Sequence, residues 1–326
     1  MFYGGIDEAG YGPMLGPLCV GGAVFSLSHE TTERPCLWSM LDQAVTRAGR
    51  DPRRRIAIDD SKKLKGASNA KRHPLRHLER GVLCMLAMLD GDRSWLGDVH
   101  DIDVLDRLGV RMPDAPWFQG SAVPLPLGND AGLLRLDAKG LQSAMDTAGV
   151  ELHALTVRAL DVPEYNTRVE GCGAKSRVNF ECAASLMDRF WQSHPGLHLV
   201  MDRHGGRSDY LRDLRTSWPQ AAIKTIRCDT ASSDYRMEPS SGSDAALHLH
   251  VRAKADGAHL PVALASMAAK LVRELFMLRL NRFFSDLMPD LTPTAGYVED
   301  GRRWLASVQG VLADQGLDSQ ALVRSR

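Results

Sequence analysis

Gly5-Ile6-Asp7-Glu8-Ala9-Gly10-Tyr11-Gly12-Pro13, closing on Gly16-Pro17, is the stretch from which the fold of this chain is read. Residues 2–7 are mostly apolar and read as a strand, residues 9–17 as a glycine and proline loop, and the apolar run 18–27 as a second, adjacent strand. Asp7 ends the first strand, where burying an ionised carboxylate costs several kcal/mol unless a cation or hydrogen-bond donors meet it. Glu8 follows directly, and two such anions about 4 Å apart repel by roughly 4 kcal/mol at an effective dielectric of 20. Divalent metal ions would reverse that repulsion. Strand alternation sends neighbouring side chains to opposite faces, so the two acids meet at one site only if the strand ends or bends at Ala9-Gly10.

Outward from this stretch, strands and helices alternate. Residues 34–49 are expected to be helical. Asp60-Ser61 offers capping oxygens before a segment in which Leu75, Leu78, Val82, Met85, Leu86 and Leu89 recur at helical spacing, with Pro74 near its start. Between about 91 and 149 the pattern weakens among prolines and glycines, predicting an irregular insertion whose one helix is 132–148. Strands are expected at 151–162, at 197–201 ending on Asp202, and at 221–228; helices at 175–193 and 210–218. Residues 239–242 read as a short Ser/Gly turn. Leu247, Leu249, Val251, Ala253 and Ala255 alternate with polar residues, which marks a half-buried strand. His248 and His250 share its polar face with no third ligand at a sensible spacing, so they read as a solvated face. The last long helix is expected at 261–283. The fold class is α/β, with a central mixed sheet flanked by helices. One domain is expected over 1–305, with a helical tail over 306–326.

Composition limits the function. The 326 residues carry 40 Lys plus Arg against 40 Asp plus Glu, so a globally basic, nucleic-acid-coating protein is disfavoured and any polyanion must be met locally. Local charge is uneven: residues 47–80 hold Arg47, Arg50, Arg53, Arg54, Arg55, Lys62, Lys63, Lys65, Lys71, Arg72, Arg76 and Arg80 against Asp51, Asp59, Asp60 and Glu79. This is either a phosphate-facing strip or a solvated surface. The six cysteines show no C-x-x-C spacing and no basic-then-apolar leader opens the chain, so reduced thiols in a cytoplasmic protein are expected. No apolar run approaches the ~18 to 20 residues of a membrane span.

The opening stretch closely resembles the first motif of the type 2 ribonucleases H, the family of ribonucleases HII and HIII. Three further segments match in the order that family requires. Asp60-Ser61-Lys62-Lys63-Leu64 resembles its Asp-Ser-Lys-Lys-Leu motif. Val200-Met201-Asp202 is similar to the strand that delivers the third carboxylate, and Ala265-Ser266-Met267-Ala268-Ala269-Lys270-Leu271-Val272-Arg273-Glu274 to the helix that carries the fourth. Gly296-Tyr297 falls where a Gly-Tyr pair commonly follows that helix. The match spans residues 3 to about 305 and leaves 91–149 unexplained.

The resemblance implies a ribonuclease H-like fold and a metal-dependent endonuclease. Asp7, Glu8, Asp202 and Glu274 would hold two magnesium or manganese ions and carry the catalysis. Gly10, Tyr11, Gly12, Lys62, Lys63, Lys270 and Tyr297 would contact substrate, an RNA/DNA hybrid or a duplex DNA with embedded ribonucleotides. Cleavage would leave 5'-phosphate and 3'-hydroxyl ends. A monomer without membrane attachment is expected. Two departures stand out: Tyr11 replaces the arginine of the family's Gly-Arg-Gly, removing a cation beside the scissile phosphate, and Glu274 stands where ribonucleases HII usually have Asp, as in the HIII branch. The first keeps open a related nuclease acting on DNA structures; a non-catalytic nucleic-acid-binding descendant is the other alternative.

Overall fold

The computed structural model describes residues 1–28, 35–66, 71–91, 93–205, 207–239 and 245–325. Its framework is a seven-stranded mixed sheet, built from β1 (Phe2–Ala9), β2 (Leu18–Leu27), β7 (Val150–Leu160), β8 (His198–Asp202), β9 (Ala222–Cys228), β10 (Ser232–Glu238) and β11 (Leu247–Arg252) in the order β7-β2-β1-β8-β11-β10-β9. Two short pairs lie outside it: β3 (Val45–Thr46) with β4 (Ile56–Ala57), and β5 (Val99–His100) with β6 (Pro124–Leu125). The helices are α1 (Leu37–Met40), α2 (Ser61–Leu64), α3 (Arg76–Asp90), α4 (Asp101–Arg107), α5 (Ala131–Ala148), α6 (Val162–Cys172), α7 (Lys175–Ser193), α8 (Leu211–Ser217), α9 (Leu260–Leu287) and α10 (Val298–Asp314).

The centre of the sheet is parallel. β1 runs parallel to β8 and β8 to β11, while β2, β7, β10 and β9 pair antiparallel outside them. A parallel centre is covered on both faces, which is why β1 and β8 read as apolar runs. One layer holds α3, α5 and α9, packed on Tyr3, Phe25, Leu155 and Val157; the other holds α6, α7 and α8, packed on Ile6, Val20, Leu199 and Met201. α9 is apolar on nearly every face because it lies between the sheet and α3. The expected alternation of β11 is seen over Leu247–Arg252, but the strand stops short of Ala253 and Ala255, and His248 and His250 are not a solvated face: both rings stack on His198, and His250 Nδ1 lies 2.8 Å from Asp234.

Several expectations are corrected. Residues 34–49 are not one helix; Arg34 lies outside the described residues, and α1 is a single turn followed by β3. Val45 and Thr46 pair with Ile56 and Ala57, and the Trp38 indole donates to the Ile58 carbonyl at 2.7 Å. Tertiary pairing overrides local helical propensity here. Of the turn expected at 239–242, residues 240–242 lie outside the described residues.

Residues 91–149, expected as an irregular insertion with a helix at 132–148, carry that helix as α5 and pack into the core layer. α5 buries Leu134, Ala138, Leu141 and Met145, and the fully buried Asp101 accepts from Arg279 of α9 through both oxygens, at 2.5 and 2.8 Å. The strand expected to reach residue 162 ends at Leu160, because Asp161 caps α6 by accepting from the Glu164 N–H at 2.9 Å. The last long helix is α10, which crosses the expected boundary at 305 and buries Trp304, Val308 and Leu312 in the same core.

Candidate active site

The parallel centre brings the carboxylates together. Ile6 with Met201 is the last pair of the β1–β8 ladder, so Asp7 and Asp202 both come directly after it, and Asp202 is in register with Arg252 at the end of β11. The carboxyl ends of parallel strands are where open α/β sheets form their sites. Beyond β11 the chain turns through Lys254, held at φ 56°, into one helical turn at Ala255–Gly257. That turn donates the Ala255 N–H to Asp202 Oδ1 at 2.7 Å and sets Asp256 beside it.

α9 crosses β1 closely enough that the Ser266 hydroxyl hydrogen-bonds Asp7. Ser266 Oγ also lies 3.0 Å from the buried Ser61 Oγ at the start of α2. Asp60 caps that short helix by accepting from the Lys62 N–H at 2.8 Å. The glycine stretch, the Asp-Ser-Lys-Lys-Leu segment and the long helix, far apart in sequence, thus meet through Asp7, Ser61 and Ser266.

Burial and mutual repulsion outweigh the groups that stabilise these acids. Asp7 is 6% exposed, and burial, then Glu8 and Asp202, hold its carboxyl well above the usual range. Burial and Asp202 push Glu8 up to about 7, with the Asn179 amide and Lys62 pulling the other way. Asp202 is raised by burial and by Asp256. Among the described residues no lysine or arginine forms an ion pair with Asp7, Glu8 or Asp202. Glu8 Oε2 is buried without a hydrogen-bond partner; its neighbour is the buried His204, whose Nε2 is 3.7 Å away. Burial and Arg207 push His204 down to about 4, and neither of its ring nitrogens has a partner either.

Glu274 sits differently. Its Oε1 is 2.8 Å from Lys65 Nζ, 3.2 Å from Lys270 Nζ and 3.5 Å from the Arg273 guanidinium, and these three cations bring its carboxyl below the usual value against the effect of burial. The sequence placed Lys270 on its helical face, and that pair is present. Asp7, Glu8 and Asp202 are gathered; the principal electrostatic neighbours of Glu274 are cations.

No three His, Cys, Asp or Glu side chains among the described residues form a ready-made metal cage. The donors at hand are all oxygens. Three adjacent carboxylates, raised by burial and by one another, and an orphaned Glu8 oxygen are all-oxygen ligands of the kind magnesium and manganese take.

The glycine loop is fixed from below. Gly10 is held at φ 87°, and a Cβ there would lie 2.7 Å from the Pro17 carbonyl and 2.8 Å from Arg273 Cδ. Arg273 donates to the carbonyls of Leu15 and Ala295 at 3.3 and 2.9 Å, Arg324 donates to that of Pro13, and Gly296 accepts from the Met14 N–H at 2.8 Å. Gly12 is exposed with open space around it. Tyr11, in place of the family's arginine, has the Lys175 ammonium 5.0 Å from its ring centroid, so a cation still stands beside this loop. Tyr297 is 50% exposed at the start of α10, and the Arg273 guanidinium is 5.9 Å from its ring centroid. Lys62 is exposed; Lys63 lies 3.6 Å from Asp59.

Sequence reading missed Asp256, Asn179, His204, Lys65 and Lys175. Asn179 alone left a signal, a polar residue on the apolar face of α7 beside Val178 and Cys182. The others become neighbours of the acids or of the loop only through strand pairing and helix packing.

No protein-family model matches this chain, and no curated protein is similar to it in sequence. Solved structures are. The chain is similar to the ribonuclease HII from Archaeoglobus fulgidus solved in complex with PCNA, at 17% identity and TM-score 0.42, over 100% of this chain and 95% of that one. It is also similar to the ribonuclease H2 from Pyrococcus horikoshii OT3, at 14% identity and TM-score 0.39, over 99% and 92%. A third likeness is to Bst-RNase HIII in complex with Mn2+, at 12% identity and TM-score 0.41, over 99% of this chain and 66% of that one.

Proposed function

We propose that this chain is a metal-dependent endoribonuclease that hydrolyses the RNA strand of RNA/DNA hybrids, or ribonucleotides embedded in duplex DNA, leaving 5'-phosphate and 3'-hydroxyl ends. The observation that carries this reading is the buried group of Asp7, Glu8 and Asp202, three carboxylates whose mutual repulsion no ion-paired lysine or arginine relieves among the described residues. A protein keeps such an arrangement, at a cost of several kcal/mol, where it serves chemistry rather than stability.

Asp7, Glu8 and Asp202 would hold the divalent ions, magnesium or manganese. When bound, a pair of such ions lowers the pKa of water and stabilises the leaving 3'-oxygen. Ser266 and the Ala255 N–H orient Asp7 and Asp202. Lys62, exposed beside them, would neutralise a phosphate, and the open backbone at Gly12 would let a sugar approach without side-chain obstruction. Tyr11 within this loop and the half-exposed Tyr297, next to the Gly296 that the loop contacts, would offer rings for stacking. Glu274, paired with Lys65 and Lys270, would serve by fixing those two cations, and Asp256 is the better placed fourth acid.

The test is cleavage of an end-labelled hybrid in magnesium and in manganese. Wild type should cut and Asp7→Asn, folded, should be slower by at least about 10³-fold. Equal rates in the two would sink the assignment. Tyr11 favours a second reading, a nuclease of DNA structures. An all-DNA duplex cut as fast as the hybrid would support it.

A further inference from the structure

The basic run over 47–80 sends Lys62 and Lys65 to the carboxylates but not its arginines at 50–55 and 72–80. Part of it lines a separate cavity of about 820 Å³, walled by the loop 49–55, the start of α3 and the start of α5. We propose that this cavity is a second anion site, for a ligand that presents two or more closely spaced phosphate groups.

Its charge is concentrated and partly unspent. Six arginines and three aspartates line it. The aspartates are engaged: Asp51 with Arg55 at 2.8 Å, Asp137 with Arg80 at 2.7 Å, and Asp130 by accepting from the Leu133 N–H at 2.9 Å as the cap of α5. That leaves Arg50, Arg54, Arg72 and Arg76 without an ion-pair partner among the described residues. Arg76 is brought below its usual value by burial and by Arg72, Arg50 and Arg80. His77, between them, is pushed down to about 4 by burial and by Arg76, Arg80 and Arg72. Arg50, Arg54 and Arg72 are exposed and Arg76 half-buried around one cavity, without counter-ions among the described residues, and planar guanidinium groups match phosphate oxygens two at a time. The first turn of the 18-residue α5 faces the same space, adding the positive end of a long helix.

The walls are braced. Arg80 reaches across from α3 to Asp137 of α5 and donates to the carbonyls of Arg54 and Arg55, holding Arg54 at φ 56°, a conformation that non-glycine residues rarely adopt. Glu79, buried under α3, accepts from the Gly128 N–H at 3.0 Å and the Asn129 amide at 2.7 Å, which pins the loop before α5. Gly49 of the lining packs beside Leu64, while Ser61, at the other end of α2, meets Ser266; α2 therefore stands between this cavity and the acids.

Two sources would supply such phosphates: a free polyphosphate or nucleoside polyphosphate, or the backbone of a nucleic-acid strand. Inorganic tripolyphosphate is the probe, titrated by calorimetry in magnesium-free buffer against the full chain, Arg50→Gln/Arg76→Gln, Arg54→Gln/Arg72→Gln and Asp7→Asn. One ion should bind per chain. Affinity should fall at least about tenfold in each arginine pair and stay unchanged in Asp7→Asn. A parallel anisotropy titration with a labelled duplex separates the sources. Duplex affinity that falls in the same variants and is competed by tripolyphosphate assigns the site to a strand; duplex affinity that stays constant assigns it to a free polyphosphate. Absence of tripolyphosphate binding, or equal binding by wild type and both folded arginine variants, overturns the proposal. Because the probe needs no cleavage, failure of the nuclease reading is seen separately, as a hybrid left uncut by a chain that still binds tripolyphosphate.

Discussion

Asp7 shows the conflict between stability and chemistry at a single position. Its carboxylate is buried and faces two more, so the folded, metal-free chain carries an electrostatic load that Asn would not. Asp7→Asn is expected to raise the metal-free thermal midpoint, by the equivalent of about 1 kcal/mol or more, and to lose the further rise that manganese gives wild type. A fall in the midpoint would show that Asp7 is stabilising as it stands. At Glu274 the expectation is reversed. Removing its charge leaves Lys65, Lys270 and Arg273 facing one another, so Glu274→Gln should destabilise the fold by about 1 to 3 kcal/mol while cleavage falls less than in Asp256→Asn. Denaturant unfolding and single-turnover rates on the hybrid measure the two quantities.

At the scale of elements, β8 was legible because it is an apolar run that stops on Asp202, whereas β1, expected to end at Asp7, continues to Ala9 because Asp7, Glu8 and Ala9 stay paired with β2. β11 was legible from strict alternation. β10 was not, since only Tyr235 and Met237 among its residues are both apolar and buried, and its pairing with β9 and β11 supplies what its sequence lacks. Asp256 was hidden for a similar reason. It follows β11 by one turn, and only the β8–β11 register sets it beside Asp202. The segment over 91–149 looked irregular because its anchors are long-range: the Asp101–Arg279 ion pair, Arg80 with Asp137, and Glu79 holding Gly128 and Asn129 all join residues far apart in sequence. Breaking the Asp101–Arg279 pair with Asp101→Asn should cost about 3 to 5 kcal/mol, far more than a surface substitution, and should shift the denaturant midpoint without changing the fold of β1. In the glycine loop the two neighbouring glycines should separate: Gly10→Ala destabilises through its positive φ and the Pro17 carbonyl, whereas Gly12→Ala leaves stability unchanged and raises KM for the hybrid.

For the whole molecule, a formal charge of zero conceals two opposite sites. Acids gather at the carboxyl ends of the central strands, and arginines gather on the far side of α2. The motif order drew attention to the first and left the second as a basic strip of undecided use. The arginine side has its own pH signature. His77 takes up its proton at about 4 in the folded chain against 6.5 for the free side chain, so between those values the unfolded chain binds more protons and stability falls as pH falls. His77→Gln should flatten that part of the stability profile, with thermal midpoints across the window as the readout.

The central claim is that Asp7, Glu8 and Asp202 share a divalent cation, and calorimetric titration of the full chain with manganese tests it without reference to any substrate. Wild type should bind, Asp7→Asn and Asp202→Asn should lose at least about tenfold in affinity, and Glu274→Gln should bind within about threefold of wild type. Equal manganese affinity in wild type, Asp7→Asn and Asp202→Asn would contradict it.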